Sequence, residues 1–423
     1  MSDLERPSQI EIAIENLLRR DPISRRSFMR RAGRGGLAFG AALSLPALLA
    51  ACASPGASQG AKPLQWANWP AYIDIDEKIT PDPTKYPSIN AFIKQTGVKV
   101  TYVESIQDNA DFLGTLRQDL AAGNPTGWDV ITPGGWVIER MGRLGYLEEL
   151  DHSKLPNWTA NCADYAKGLW FDPDNKYSLW WQGGITGIAY NPQLTGREIT
   201  TFDDLLDPAF KGRAGAFSDM RDMFGLTLLS LGVHPADATL DDVKRAQAKL
   251  LAANAKGQFR GYYGNEYYQP LSNGDLAISV AWSGDISQMN LADNPDVKFV
   301  IPDGGGMRWN DNLAIPKKAA QVDNAHKLLN YWYDPVPATL LEEYIGYFTP
   351  VKGVAEKIKA DAEAARTGSG GASPDPATAD QLDRQAVSVV PTADQLAHTY
   401  PDKQLTEAEE ASWNALWLTV RGA

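Results

Sequence analysis

The 423-residue sequence contains few of the residues that usually build catalytic or metal sites. Its four histidines lie far apart along the chain, and none forms a metal-binding pair or adjoins an obvious nucleophile. There is no GxSxG, P-loop or GxGxxG motif, and the glycine run at 304–306 lacks the following helix that a phosphate loop needs. The sequence therefore predicts a protein that is not an enzyme and that holds no metal ion or cofactor.

Cysteine is almost absent, since Cys52 and Cys162 are the only two in the sequence. Cys52 stands at the end of a leader segment, where it is expected to carry a lipid. Cys162 then has no partner within the chain, so disulfide bonds do not hold this fold together. We expect Cys162 to be a small packing residue and not a nucleophile.

The first 51 residues are typical of an export signal and not of a folded domain. They carry eight arginines against five acids and include a twin-arginine pattern, Ser24–Met29 (SRRSFM). The uncharged stretch Gly35–Ala51 is too short and too rich in glycine and alanine for a comfortable membrane span. It ends in Leu49–Cys52 (LAAC), which resembles a lipoprotein cleavage site. We expect a twin-arginine signal peptide over 1–51, lipidation at Cys52 and a flexible tether over 52–62.

Positive charge is scarce in the remaining 372 residues, which carry 32 basic and 47 acidic side chains. This excess of negative charge argues against nucleic acid as a partner and permits a cationic ligand. All 13 tryptophans also lie in this part of the chain. They indicate aromatic surfaces suited to a ligand, although a tryptophan-rich core explains each of them individually.

Apolar periodicity predicts that strands and helices alternate along the chain. Strands are expected at 63–66, 98–103, 128–132, 185–190, 214–217, 275–282 and 313–315, and the main helices at 89–95, 109–122, 220–231, 241–254, 322–331 and 337–345. This order implies an α/β fold with a largely parallel sheet. A last helix is expected from Thr406, with Glu409 at the spacing of a capping box. The small and polar residues of 360–380 indicate a loop or a disordered insert.

Aromatic and acidic side chains recur where these predicted strands end or begin. They are Trp69 and Tyr72, Trp136, Asp219 and Asp222, Trp282, and Trp309 and Asp311. Each has an ordinary explanation, because Asp219 and Asp222 suit a helix cap, Asp311 suits a turn and the tryptophans suit a core. Ligands of such sheets bind at the carboxyl ends of the strands, so we expect these side chains to line one cleft.

A cleft of aromatic rings and carboxylates has the chemistry that a flexible polyamine requires. Aromatic faces cover the methylene groups and attract each ammonium by ~0.5–2 kcal/mol, while carboxylates pair with the ammonium groups. Without a cation the carboxylates repel one another, which favours an open empty state. Three acids and an aromatic wall fit a ligand that carries two to four positive charges.

Five motifs resemble those of the spermidine/putrescine-binding proteins of ABC importers. They are NWPAY (68–72), WDVITPGGWVIERM (128–141), FDDLLDPAFKGRAGAFSDMRDMF (202–224), WNDNLAIP (309–316) and YIGYFTP (344–350). The resemblance covers about 64–350 and implies a two-lobed Venus-flytrap of the type II periplasmic-binding-protein class. Lobe 1 would comprise 63–184 with 310–354, and lobe 2 would comprise 185–309 with 355–423. Such a protein captures a polyamine and delivers it to a membrane permease.

The same resemblance implies roles for individual side chains. Trp69 and Tyr72 would form the cage of lobe 1, Asp219 and Asp222 the acid pair, Trp282 and Trp309 the stacking walls, Asp311 the partner of the inner amine, and Tyr347 a further cage residue. The loop at Gly134–Gly135 departs from the family pattern, which usually offers hydroxyl residues there. Trp136 stands where a tyrosine is common, and we include it among the ligand-binding residues.

Other functions agree with parts of the same pattern. The pairs Tyr262–Tyr263 and Tyr267–Tyr268 allow a ferric-ion receptor, and tryptophan platforms with carboxylates also suit a sugar or betaine receptor. A glycoside hydrolase would use Asp219 or Asp222 with Asp311 as acid and base. The order of the motifs favours the polyamine receptor, which we expect to be a monomer anchored by lipid on the outer face of the cytoplasmic membrane.

Overall fold

The computed structural model describes residues 62–76, 85–292, 296–368 and 373–422. The predicted signal peptide, the predicted lipidation site Cys52 and nearly all of the predicted tether lie outside the described residues. The strands are β1 Leu64–Asn68, β2 Val100–Glu104, β3 Val130–Ile131, β4 Ser178–Tyr190, β5 Ala214–Phe217, β6 Phe259–Tyr263, β7 Ile278–Trp282, β8 Lys298–Val300, β9 Gly306–Ala314 and β10 Thr399–Tyr400.

Fifteen α-helices surround the sheet in the described part of the chain. They are α1 Pro87–Thr96, α2 Asn109–Ala121, α3 Gly135–Arg143, α4 Pro156–Asn161, α5 Pro192–Thr195, α6 Met220–Ser230, α7 Leu240–Ala255, α8 Tyr268–Ser272, α9 Ser283–Ala292, α10 Val322–Trp332, α11 Pro335–Ile345, α12 Val354–Thr367, α13 Pro376–Ser388, α14 Ala393–Ala397 and α15 Glu407–Arg421. Several ends follow the predicted signals. Gly97 ends α1 in the left-handed conformation, and Thr406 with Glu409 forms the capping box of α15.

The strands form one mixed sheet in the order β2-β1-β3-β9-β4-β7-β5-β6, with β10 added to β9 and β8 to β4. The two wings are parallel, since β1 pairs in parallel with β2 and β3, and β5 with β6 and β7. The centre is antiparallel, because β4 and β9 run against each other and against their outer neighbours. The prediction of a largely parallel sheet is therefore wrong for its centre, where the chain returns between the two wings.

Strands β4 and β9 join the two wings of the sheet. Their ladder runs from Ser178 opposite Ala314 to Thr186 opposite Met307. All 13 residues of β4 are buried, so the strand is covered on both faces. The sequence had predicted strands only at 185–190 and 313–315, which are the ends of these two long strands.

Each of the two wings of the sheet has a hydrophobic core of its own. The first wing packs around clustered tryptophans, and the rings of Trp66 and Trp181 meet edge to face at 5.3 Å between centroids. The second wing has its own core, in which Phe224 packs against Trp413 and Trp417 of α15. The predicted division at 184, 309 and 354 stays a prediction. Helices α12 and α13 pack with the first core, whereas α15 packs with the second.

The predicted loop or insert at 360–380 is wrong over the described residues. Helices α12 and α13 occupy much of it and pack against each other, burying Ile358, Ala362, Leu382 and Ala386. Alanine is the best helix former and its small side chain allows close helix packing, so the composition that indicated a loop is equally that of a helical hairpin.

Two further observations concern the cysteine and the membrane. Cys162 is buried and free, in agreement with a packing role.

Among the helices of the described segments, none combines the length and the apolar character that crossing a membrane requires.

Candidate ligand-binding site

A cavity of about 180 Å³ lies between the two wings of the sheet. The structure brings all nine predicted ligand-binding residues to its walls: Trp69, Tyr72, Trp136, Asp219, Asp222, Trp282, Trp309, Asp311 and Tyr347. The expectation that they lie in one cleft is therefore met by the fold, while their role in holding a ligand stays a prediction. Their positions depend on different elements.

The loop after β1 places Trp69 and Tyr72. The indole Nε1 of Trp69 donates to the carbonyl of Thr132 at 2.8 Å, and the hydroxyl of Tyr102 donates to the carbonyl of Trp69 at 3.1 Å. Ala71 adopts a positive φ of 55°, which makes the turn tight enough to bring Tyr72 back toward the cleft. Trp69 is thus fixed by the backbone just after β3 and by a side chain of β2.

The sequence predicted that Asp311 lies before its strand, at 313–315. In the structure Asp311 lies inside β9. Its carboxylate accepts a hydrogen bond from the hydroxyl of Tyr72 at 3.1 Å. Burial raises the pKa of Asp311 to about 7, because the ionised form loses its hydration and gains only this one hydrogen bond. Among the described residues, no lysine or arginine forms an ion pair with it. The site thus contains a desolvated carboxylate that a bound cation would stabilise.

The second acidic group lies at the start of α6. Asp219 caps the helix, since one of its oxygens accepts from the backbone N–H groups of Arg221 at 2.7 Å and Asp222 at 2.9 Å. The capping explanation therefore holds for Asp219, which nevertheless also lines the cavity. Asp222 accepts from the indole Nε1 of Trp282 at 3.3 Å. Burial, followed by the charge of Asp219, raises the pKa of Asp222 well above its usual range.

A third acid and an arginine complete this end of the cavity, and the sequence reasoning missed both. Burial raises the pKa of Asp402 to about 6, while the charge of Arg221 opposes that shift. Arg221 lies 3.7 Å from the carboxylate of Glu410 and covers the ring of Trp136 at 4.5 Å from its centroid. Trp136 therefore already stacks on a protein cation. Asp402 lies in an irregular segment without a motif, so no local signal identified it.

The aromatic wall continues from one acidic group to the other. The ring of Trp309 lies 6.4 Å from that of Trp282 and 5.9 Å from that of Tyr347, and Tyr347 lies 5.2 Å from Tyr72. All three contacts are edge to face, an arrangement that keeps ring faces available. Together with Asp311 and Asp222, these rings form a connected apolar path between two carboxylates.

Asp285 holds part of this wall and was not predicted. Its carboxylate accepts from the hydroxyl of Tyr347 at 2.5 Å and from that of Tyr267 at 2.7 Å. Burial raises its pKa, although both hydrogen bonds lower it. The position three residues after Trp282, in the first turn of α9, is a signal that sequence reasoning could have used.

The paired tyrosines do not converge on a ferric site. Tyr263 lines the cavity, but Tyr267 is buried against Asp285 and Tyr262 donates to Asn254 at 2.9 Å. Within the described ranges, no group of three or more histidine, cysteine, aspartate and glutamate side chains could hold a metal ion. The geometry therefore does not favour the ferric alternative.

Known proteins resemble this chain in sequence and in fold. A profile of the bacterial extracellular solute-binding proteins matches residues 88–367. The spermidine/putrescine-binding periplasmic protein 1 of Haemophilus influenzae is 31% identical over 305 residues, which cover 72% of this chain and 81% of that protein. The chain belongs to this family of bacterial extracellular solute-binding proteins. The resemblance drawn from the five motifs is thereby confirmed.

Other relatives extend the similarity over more of this solute-binding protein. The putrescine/cadaverine-binding protein of Pseudomonas aeruginosa is 27% identical over 388 residues, covering 88% of this chain and 98% of the relative. Among solved structures, a Listeria monocytogenes protein described as a spermidine/putrescine ABC transporter has a TM-score of 0.68 at 28% identity, covering 85% of this chain and 98% of that chain.

The solute-binding protein thus has the two-lobed α/β fold predicted for it. The relatives named above are described as binding proteins or as an ABC transporter. The coarse assignment to an extracellular or periplasmic solute receptor follows from the family itself.

Proposed function

We propose that this protein captures a polyamine in the cavity and delivers it to the permease of an ABC importer. The observation that carries the proposal is the pair of buried carboxylates, Asp311 and Asp222, which have no ion-pair partner among the described residues. Leaving such groups ionised in a protein interior is costly unless a cation joins them. An aliphatic chain with an ammonium at each end would meet both carboxylates and lie along the aromatic wall.

Each side chain then has a defined task. Asp311, oriented by Tyr72, binds one ammonium, and the Asp219–Asp222 pair binds the other. Trp309 and Trp282 cover the methylene groups, and their faces attract the cations. Asp285 acts as a positioning residue, because it fixes the hydroxyl of Tyr347 and with it the ring between Tyr72 and Trp309.

Binding is coupled to closure of the two lobes. A ligand that contacts both lobes binds the closed form better than the open one, and this difference in affinity shifts the population. We assign the first lobe to 63–183 and 310–390 and the second to 185–309 and 399–422, because α12 and α13 pack with the first core. Strands β4 and β9 run through both lobes and would bend on opening.

We also propose the location, the lipid anchor and the monomeric state of the protein. The twin-arginine pattern and the LAAC sequence before residue 53 support export of a lipid-anchored monomer whose binding domain stands outside the cytoplasmic membrane. Mass spectrometry of the protein isolated from its host would show a diacylglyceryl group on Cys52 if the anchor exists.

Titration calorimetry of the purified protein tests the proposed ligand class. Putrescine, cadaverine, spermidine and spermine would be compared with glycine betaine, maltose and ferric citrate. Saturable binding of at least one polyamine, with no heat from the three other ligands, is the expected result. Absence of binding to all four polyamines would refute the proposal, and saturable binding of betaine, sugar or iron instead would reassign the cavity.

A further inference from the structure

At one end of the cavity, a cation of the second lobe lies over an aromatic ring of the first. Arg221 stands in the first turn of α6, whose Phe224 belongs to the second core. Trp136 stands in the first turn of α3 and packs against a cluster of buried residues that includes Ile131 of β3. The guanidinium carbon of Arg221 lies 4.5 Å from the centroid of the Trp136 ring. The contact therefore joins the two lobes.

The second lobe itself holds Arg221 in place. The guanidinium donates to the carbonyl of Lys403 at 3.3 Å and lies 3.7 Å from the carboxylate of Glu410. Burial lowers the pKa of Arg221, and the charges of Asp402 and Asp219 oppose this shift. The C-terminal segment and α6 thus keep a charged guanidinium at the boundary between the lobes.

Two further side chains of α3 contact the second lobe. Glu139 and Arg140 follow Trp136 by three and four residues, so the three side chains share one face of the helix. Arg140 forms an ion pair with Glu410, and Gln404 donates to Glu139 at 3.1 Å. This face of α3 therefore presents a ring, an anion and a cation to complementary groups of the second lobe.

These contacts join protein groups to each other and involve no ligand atom. Separating the lobes breaks them, so they stabilise the closed form both with and without a ligand. The sequence predicted that repulsion among the carboxylates favours an open empty state. Arg221 opposes this effect at its end of the cavity, because its positive charge lies near Asp219, Asp402 and Glu410.

The residues that form these contacts are called the interlobe clasp: Trp136, Glu139, Arg140, Arg221, Gln404 and Glu410. We propose that the interlobe clasp holds a large fraction of the ligand-free protein in the closed form, and that Trp136 serves as the surface on which Arg221 docks. This inference rests on the proposed closure of the lobes around a polyamine and adds a conformational device to it. A larger competent fraction raises the apparent affinity for every ligand by the same factor.

Small-angle X-ray scattering of the ligand-free protein tests the clasp without any ligand. The two variants are Arg221→Lys, which keeps the charge but loses the planar group that stacks on a ring, and Trp136→Leu, which removes the ring. The control is Arg197→Lys, because the Arg197 guanidinium lies 5.5 Å from the centroid of the Phe210 ring within the second lobe and outside the cavity.

The ligand-free wild type should have nearly the radius of gyration that it has with saturating putrescine or spermidine. Both clasp variants should have a larger radius of gyration without ligand and should return to the wild-type value when the polyamine is added. Arg197→Lys should match the wild type in both conditions. The two variants remove the same contact from its two sides, so one folded variant is enough for the comparison.

Titration calorimetry supplies a second readout. The dissociation constants for putrescine and spermidine should rise about threefold or more in the clasp variants, and by the same factor for both ligands, because the clasp touches neither of them. Arg197→Lys should keep both constants.

The outcomes separate the clasp from the polyamine function. Equal radii of gyration in the ligand-free wild type and in the clasp variants would overturn the clasp while polyamine binding stands. A loss of affinity that differs between putrescine and spermidine, with an unchanged ligand-free radius, would assign Trp136 to the ligand and would also overturn it. Absence of polyamine binding in the wild type would refute the proposed function, and the ligand-free scattering would still decide on the clasp.

Discussion

The carboxylate of Asp311 shows what a single residue contributes to this site. It is buried beside aromatic rings with the hydroxyl of Tyr72 as its hydrogen-bond donor. A pKa raised from 3.8 to about 7 corresponds to a cost on the order of 4 kcal/mol for the ionised form at pH 8. The ionised residue therefore lowers the stability of the ligand-free protein. A bound cation would offset this cost, so the same carboxylate favours cation binding.

Asp311→Asn should weaken polyamine binding by at least about thirtyfold, because the buried partner of a ligand charge is lost. Titration calorimetry measures the change. Asp74→Asn is the matched control, since Asp74 is also buried but accepts from the N–H and hydroxyl of Ser88, away from the cavity. The control should keep its affinity within about threefold. Equal losses of affinity in the two variants would show that burial, and not the position in the site, explains the effect.

The stability of the empty protein should depend on pH through the same group. Because the folded-state pKa of Asp311 lies above its unfolded value, the folded state binds more protons between about pH 4 and pH 7, and this group lowers the free energy of unfolding as pH rises through that window. Asp311→Asn should be more stable than the wild type by about 4 kcal/mol at pH 8 and by about 2 kcal/mol at pH 5. Urea unfolding at both pH values measures the difference. A difference that grows toward low pH would contradict the assignment.

At the scale of the element, the pairing of β4 with β9 determines the shape of the cavity. Trp309 and Asp311 are two residues apart on β9, so they share one face of the strand. Opposite Trp309 on β4 lies Gly184, where a Cβ atom would approach the Trp309 ring to 2.6 Å. The glycine allows the indole ring to approach the backbone of β4 closely.

Gly184→Ala should displace the Trp309 ring, which would cost about 1–3 kcal/mol of stability and weaken polyamine binding by about tenfold. Thermal unfolding and calorimetry measure the two effects. Gly114→Ala in the exposed part of α2 is the control, because a Cβ there meets no atom within 4 Å. It should stabilise the protein by about 0.5–1 kcal/mol and leave affinity unchanged. Wild-type affinity in Gly184→Ala would exclude the ring position as a determinant of binding.

At the scale of the whole molecule, polar contacts tie α3, which follows β3 of the first wing, to the C-terminal segment that packs on the second core. Arg140 forms an ion pair with Glu410, and Gln404 donates to Glu139 at 3.1 Å. The same Glu410 also faces Arg221 in the cavity wall. These contacts join the two lobes at the edge of the cavity and would break when the lobes separate.

Glu410→Gln should therefore accelerate ligand dissociation about five- to thirtyfold, which corresponds to about 1–2 kcal/mol, with little change in the association rate. Stopped-flow tryptophan fluorescence measures both rates. Glu149→Gln serves as the control, because Glu149 pairs with Lys176 on the surface of the first lobe alone. A slower association with unchanged dissociation would indicate electrostatic steering and not a contact of the closed form.

Much of the site could be predicted because its signals are local. The motif around Trp309 and Asp311, the cap at Asp219 and the aromatic residues after β1 are each encoded within a few neighbouring residues. Residues near strand ends also tend to meet, because sheet topology brings those ends together. For this reason the predicted residues line one cavity even though the sheet was predicted to be largely parallel and its centre is antiparallel.

The remaining features depend on contacts between distant parts of the chain. The antiparallel centre of the sheet requires β9 to insert between β3 and β4, and no periodicity encodes that choice. Asp402 acquires its position only when the C-terminal segment packs over the second core. Residue types, helix caps and motifs follow from local sequence, because each depends on a few neighbouring residues. Which charges remain uncompensated follows only from folding, because burial and pairing are properties of the packed chain.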